Sequence, residues 1–133
     1  MEGKMRIEVS QLPPVEYSPN WRGHWPQRYQ AGRIYGLAVF YCCVDYKNRL
    51  GDAFTPIQVA RLDLTLVYPV ERVRDRDNLI AMFKPGLDAV VRAGLIAGDD
   101  SKHLHWGEVN IVVDPGQAPL TIIELAEIAE ALR

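Results

Sequence analysis

Arg72-Val73-Arg74-Asp75-Arg76-Asp77-Asn78 sets two carboxylates two positions apart among three arginines, and Gly98-Asp99-Asp100-Ser101 adds two more further along. Like charges repel, so clustered acids call for a cation between them. A hard divalent ion takes oxygen ligands from one or two carboxylates and keeps sites for water and phosphate. Guanidinium forks match phosphate oxygens, which suits Arg72, Arg74 and Arg76 to a phosphate neighbour. Acids for a metal beside bases for a phosphate are what metal-assisted phosphodiester hydrolysis requires.

Asp75 and Asp77 follow a strand, where an extended backbone points both to one side. A calcium loop is excluded, because Ile80 stands where glycine is needed and Gly86 where glutamate is needed. The structural alternative is a solvated loop in which Asp77 caps a helix and Asp75 pairs with a neighbouring arginine. Lys84 falls two helical turns after Asp77 and nearly on the same face, where its stem reaches toward a bound phosphate. Its alternative is a surface pair with Asp88. His103, His105 and His24 match no zinc spacing. Trp21, Trp25 and Tyr29 are interleaved with Arg22, Arg28 and Arg33, a mixture that can stack on bases and hold phosphates. Neither a P-loop nor a dinucleotide fingerprint occurs.

Several elements must position these groups. Met5 to Ser10 and Val59 to Tyr68 alternate apolar and polar residues as half-buried strands do. Gln27 to Lys47 has helical spacing, with Ile34, Leu37, Ala38, Tyr41 and Val44 as its apolar stripe. A second helix is predicted from Asn78 to Arg92, with Asp77 as N-cap, Gly94 as its stop and a kink or restart at Pro85. Leu104 to Val113 reads as a third strand, and Thr121 to Arg133 as a short acidic amphipathic helix. These elements predict an α+β, two-layer single domain over residues 1–133, with a small mixed or antiparallel sheet and about three helices.

The chain has 133 residues, 48% of them hydrophobic and 24% charged, which is ordinary for a globular fold. No apolar run is long enough to span a membrane, and the first residues lack the apolar core of a signal peptide, which predicts a cytoplasmic protein. Adjacent Cys42 and Cys43 sit in an apolar run and read as buried thiols. With 15 basic and 17 acidic residues the net charge is -2, an unusual balance for a DNA binder. The acidic surplus lies after Gly98, away from the N-terminal arginines.

From Tyr68 to Ser101 the chain resembles the RusA family of Holliday junction resolvases. The family core of Arg-Asp-x-Asp-Asn-Leu, a lysine before an Asp-Ala-Leu helix, Ala-Gly and a closing Asp-Asp is matched by Arg74 to Leu79, Lys84, Asp88-Ala89-Val90, Ala93-Gly94 and Asp99-Asp100. Leu12-Pro13-Pro14 and Ser18-Pro19-Asn20 resemble the family's N-terminal elements more loosely. The resemblance implies a magnesium-dependent endodeoxyribonuclease, manganese being an alternative ion, that acts on four-way junctions as a homodimer. It assigns Asp75, Asp77 and one of Asp99 and Asp100 to the metal, with Asp100 favoured by sequence order. Lys84 takes the catalytic lysine's place if three extra residues follow Asn78; without them that position is Ala81. Arg22, Arg28, Arg33, Arg72, Arg74 and Arg76 are the expected DNA contacts. The rival expectation is an inactive phage or prophage DNA-binding accessory protein with the same fold.

Overall fold

Four strands and three helices build the computed structural model, which describes residues 4–128. The strands are β1 (Met5–Val9), β2 (Ala60–Tyr68), β3 (Leu104–Val113) and β4 (Leu120–Glu127); the helices are α1 (Trp25–Leu50), α2 (Arg76–Met82) and α3 (Lys84–Arg92). The sheet order is β1-β4-β2-β3. β4 runs antiparallel to both β1 and β2, whereas β2 and β3 are parallel. A parallel pair needs a crossover, and α2 and α3 lie in it. The result is the expected α+β two-layer domain with a mixed sheet.

Register explains the core. Ile7 faces Ile123, Ile123 faces Leu64 and Leu64 faces Val109, so one apolar row crosses all four strands. Leu62, Leu64, Leu66, Ile123 and Leu125 are fully buried, together with Tyr35 and Val39 of α1 and Val90 of α3. α1 and α3 approach closely at Gly36, where an added Cβ would press on the Pro85 carbonyl, while at Gly32 it would meet the Tyr17 ring first and Pro85 next. A larger residue at Gly36 would push the start of α3 outward, and one at Gly32 would displace Tyr17. Among the described residues no helix is long and apolar enough to cross a membrane.

Three expectations are corrected. The segment from Thr121 is strand β4 and not a helix; Thr121, Ile123 and Leu125 are buried while the residues between them are only partly covered. Alternation with β-branched residues outweighs the helix-forming Ala, Glu and Leu content once the segment pairs on both edges. The last part of the expected helix, residues 129–133, lies outside the described residues.

The buried stripe of α1 is Gly32, Tyr35, Gly36, Val39 and Cys43, rotated away from the predicted one. Ile34 and Tyr41 are instead exposed. Glycines carry no hydrophobic signal, yet they form the contact face because only they let α3 come close. Cys43 is wholly buried, which pushes its thiol up to about 12.

The third correction is the cap of α2. The helix starts at Arg76, and Asp75 is its N-cap: its Oδ1 accepts from the backbone N–H of Asp77 at 2.9 Å. Asp77 therefore lies inside the first turn, where a carboxylate still complements the helix dipole. The restart expected near Pro85 does occur. α2 ends at Met82, Phe83 joins the helices, and Pro85 sits in the first turn of α3.

Candidate metal and nucleic-acid site

β2 delivers the chain through Pro69 and Val70 to the capping residue Asp75, so the strand's end fixes where the carboxylates begin. Asp75 and Asp77 are both exposed. One oxygen of Asp75 is spent on the cap; the other, and both oxygens of Asp77, accept no hydrogen bond among the described residues. These hard oxygen donors suit magnesium by chemistry.

The break at Phe83 sets the rest of the cluster. It turns the chain so that Lys84 opens α3, and the segment after Gly94 doubles back to meet it. Gly94 adopts a φ of +85°, which ends α3 sharply and is readily adopted only by glycine. Lys47 donates to the carbonyl of Ala93 at 2.8 Å and so satisfies one of the helix's terminal acceptors. Ile57 then bridges to Ile96, pinning the returning strand to the core. At its end Asp99 Oδ2 lies 2.8 Å from Lys84 Nζ, which also lies 2.9 Å from Asp88. The hydrogen bonds to Asp99 and then Asp88 raise the pKa of Lys84, so its ammonium is held charged.

Asp100 points to a different partner. Its carboxylate is 2.9 Å from Nδ1 of His103 and accepts from the backbone N–H of Lys102. Those two bonds, His103 first, lower its pKa. The structure thus joins Asp99 to Lys84 and Asp88, and joins Asp100 to His103. Among the described residues no group of three or more His, Cys, Asp or Glu side chains is placed to hold a metal ion. The oxygen chemistry of the four aspartates fits magnesium; the pair Asp75 and Asp77 is the part that the backbone brings to one helix end.

The predicted arginines divide in two. Arg28 donates to the carbonyls of Glu16 and Ser18 and lies 4.2 Å over the Tyr17 ring, so it ties the N-terminal loop to α1. Arg74 stacks on Tyr68 at 3.6 Å and donates to Val70 and Arg72 carbonyls, which shapes the turn leading to Asp75. Arg76 reaches the carbonyl of Gly107 in β3. Arg22, Arg33 and Arg72 are exposed.

A groove of about 550 Å³ runs between the segment around Trp21 and the segment from Tyr68 to Met82, and Asp75, Arg72 and Arg74 line it. Sequence spacing joins Asp75 to the arginines but not to Trp21, Asn20 and Tyr68, which share the same groove through tertiary packing.

Asp63 was not legible as a special residue either. Alternation places it on the polar face of β2, yet it is only 7% exposed. A bulge in β3 opposite Leu62 and Leu64 brings the N–H of Glu108 within 2.7 Å of Asp63 Oδ1. Arg61 and Lys4 complete its partners. Its position on the polar face beside Arg61 and Thr65 gave no signal of burial, and Gly107, which leaves room for the close approach, lies far along the chain. No model of a known protein family matches this chain, and no curated protein does.

Proposed function

We propose that this protein is a magnesium-dependent, structure-specific endodeoxyribonuclease of the RusA type, acting in the cytoplasm on four-way DNA junctions. The observation that carries it is Asp75 lining a groove with Arg72, exposed Asp77 following in the first turn of α2, and Lys84 held charged against Asp99. The resemblance from Tyr68 to Ser101 supports the same chemistry.

Asp75 and Asp77 would hold the ion, manganese being an alternative to magnesium, with Asp100 or Asp99 completing the set. When bound, the ion supplies an activated water and polarises the scissile phosphate. Lys84 sets a positive charge where negative charge grows in the transition state. Arg72, Arg22 and Arg33, with Arg76 beside its Gly107 contact, grip flanking phosphates, while Arg74 and Arg28, engaged more fully within the fold, hold the surfaces on which those contacts sit. A homodimer suits the two matched cuts that a four-way junction needs. The exposed Ile34 and Tyr41, with half-buried Leu37 between them on α1, supply an apolar stripe that a second copy would cover.

A second reading is a DNA-binding accessory protein with this fold and no cleavage. It draws on the engagement of Asp99 by Lys84 and of Asp100 by His103. Labelled four-way junction, linear duplex and nucleoside triphosphates, each incubated with and without magnesium, separate these readings. Magnesium-dependent paired nicks in the junction support the nuclease. Junction binding without nicks supports the accessory protein, and triphosphate hydrolysis alone overturns both.

A further inference from the structure

The groove beside Asp75 has more chemistry than phosphate binding needs. Buried Leu79 and Met82 give it part of an apolar lining. Trp21 and Tyr68 add aromatic rings to that lining. The indole of Trp21 lies over Gly23, where any Cβ would overlap the ring, so the absence of a side chain there sets the ring's position. Arg74 is fixed flat against Tyr68 by its stacking and its two carbonyl contacts. The carboxamides of Asn20 and Asn78 also line the groove and make no hydrogen bond among the described residues, leaving both donors and acceptors for a ligand. The volume falls within the roughly 300–1,000 Å³ of small-ligand sites.

An aromatic ring to stack on, an apolar lining and unspent amide groups are the requirements of a nucleobase, and exposed Arg72 at the same groove suits its phosphate. A base inside a duplex cannot enter such a site, because its faces are covered by its neighbours. We infer that this groove binds one unstacked nucleobase of the DNA substrate, held against Trp21 and read by Asn20 and Asn78. The protein would then take DNA with an unpaired or extruded nucleotide next to the Asp75 end. This rests on the nuclease reading only for its choice of ligand, and its test needs no cleavage.

The experiment measures binding of a single-stranded hexanucleotide and of the same backbone without bases, in chelator. The base-bearing strand should bind about tenfold tighter or more, within the range that stacking one base supplies. Trp21→Ala should erase most of that difference, and Gly23→Ala should reduce it by displacing the indole. A hexanucleotide carrying 5-iodouracil, irradiated on the parent protein, should cross-link to Trp21 or Tyr68, which keeps the test independent of how the variants fold. Equal affinity for the baseless strand, or adducts mapping only outside the groove, overturns the inference. Base-dependent binding by a protein that cuts no junction sustains the groove and sinks the nuclease alone. Junction cleavage with no base dependence does the reverse.

Discussion

Lys84 Nζ lies 2.8 Å from Asp99 Oδ2, a contact across fifteen positions that ties the start of α3 to the first of the two closing aspartates. An unbroken helix from Asn78 to Arg92 would be about 22 Å long and would carry the second cluster away from the first. The break at Phe83 and the return after Gly94 bring Asp99 to Lys84 at the start of α3.

That contact makes Lys84→Met an informative substitution. Both partners are substantially exposed, at 50% and 34%, and exposed pairs contribute about 0–1 kcal/mol. Thermal melting should therefore shift little, and junction affinity in chelator should hold within about threefold. Cleavage should fall at least tenfold, equivalent to ~1.4 kcal/mol of barrier. Cleavage at the parental rate would reduce Lys84 to a surface ion pair.

Asp77→Asn separates structure from chemistry more sharply because Asp75, not Asp77, caps α2. The backbone N–H that Asp75 accepts from remains, so the helix should persist with a melting temperature near the parent's. A neutral amide cannot supply the charge a hard ion prefers, and cleavage should drop by about a hundredfold or more at matched magnesium. Parallel gel-shift and nicking assays decide it. Cleavage within about tenfold of the parent's would remove Asp77 from the site.

Arg22→Ala with Arg33→Ala should weaken binding to junction and duplex alike and flatten the salt dependence, as lost phosphate contacts do. Arg28→Ala should behave differently. It breaks two carbonyl contacts and a Tyr17 stacking contact, so melting should fall, with a loss of about 1–3 kcal/mol. A salt slope unchanged in the double variant would place the DNA face elsewhere.

Asp63 carries a prediction about acid stability. Burial pushes its carboxyl up, but the Glu108 N–H, Arg61 and Lys4 outweigh burial and hold it below the ordinary 3.8. A carboxylate depressed by folding stabilises the protein above its unfolded pKa, and that contribution is lost as pH falls through the lower folded value. Asp63→Ala should cost about 1–3 kcal/mol near neutral pH by orphaning the Glu108 N–H, and the gap in melting temperature should narrow as pH falls below 3.8. Gly107→Ala would overlap Asp63 Oδ1 and should cost a similar amount. Because both changes strike one contact, the double variant should lose less than the sum of the two. A strictly additive result would mean the two positions act independently.

Much of this molecule is determined by local sequence. The alternation of Met5 to Val9 and Ala60 to Tyr68 sets two strands, because a pleat sends successive side chains to opposite faces. Pro85 and Gly94 set the break and the end of the helices through backbone geometry alone. The pairing of Asp75 with Asp77 and their arginine neighbours is likewise a matter of spacing.

Contacts distant in sequence decided the rest. Thr121 to Glu127 became a strand because β1 and β2 supply partners on both edges, outweighing local helix-forming content. α1 turned its glycines inward because Pro85 needed the space, a demand invisible in hydrophobic periodicity. Asp63 gained its Glu108 partner through a bulge in β3, and Trp21 came to line the same groove as Asp75 through packing. Each depends on a partner far along the chain, and local propensity carries no information about where that partner will lie.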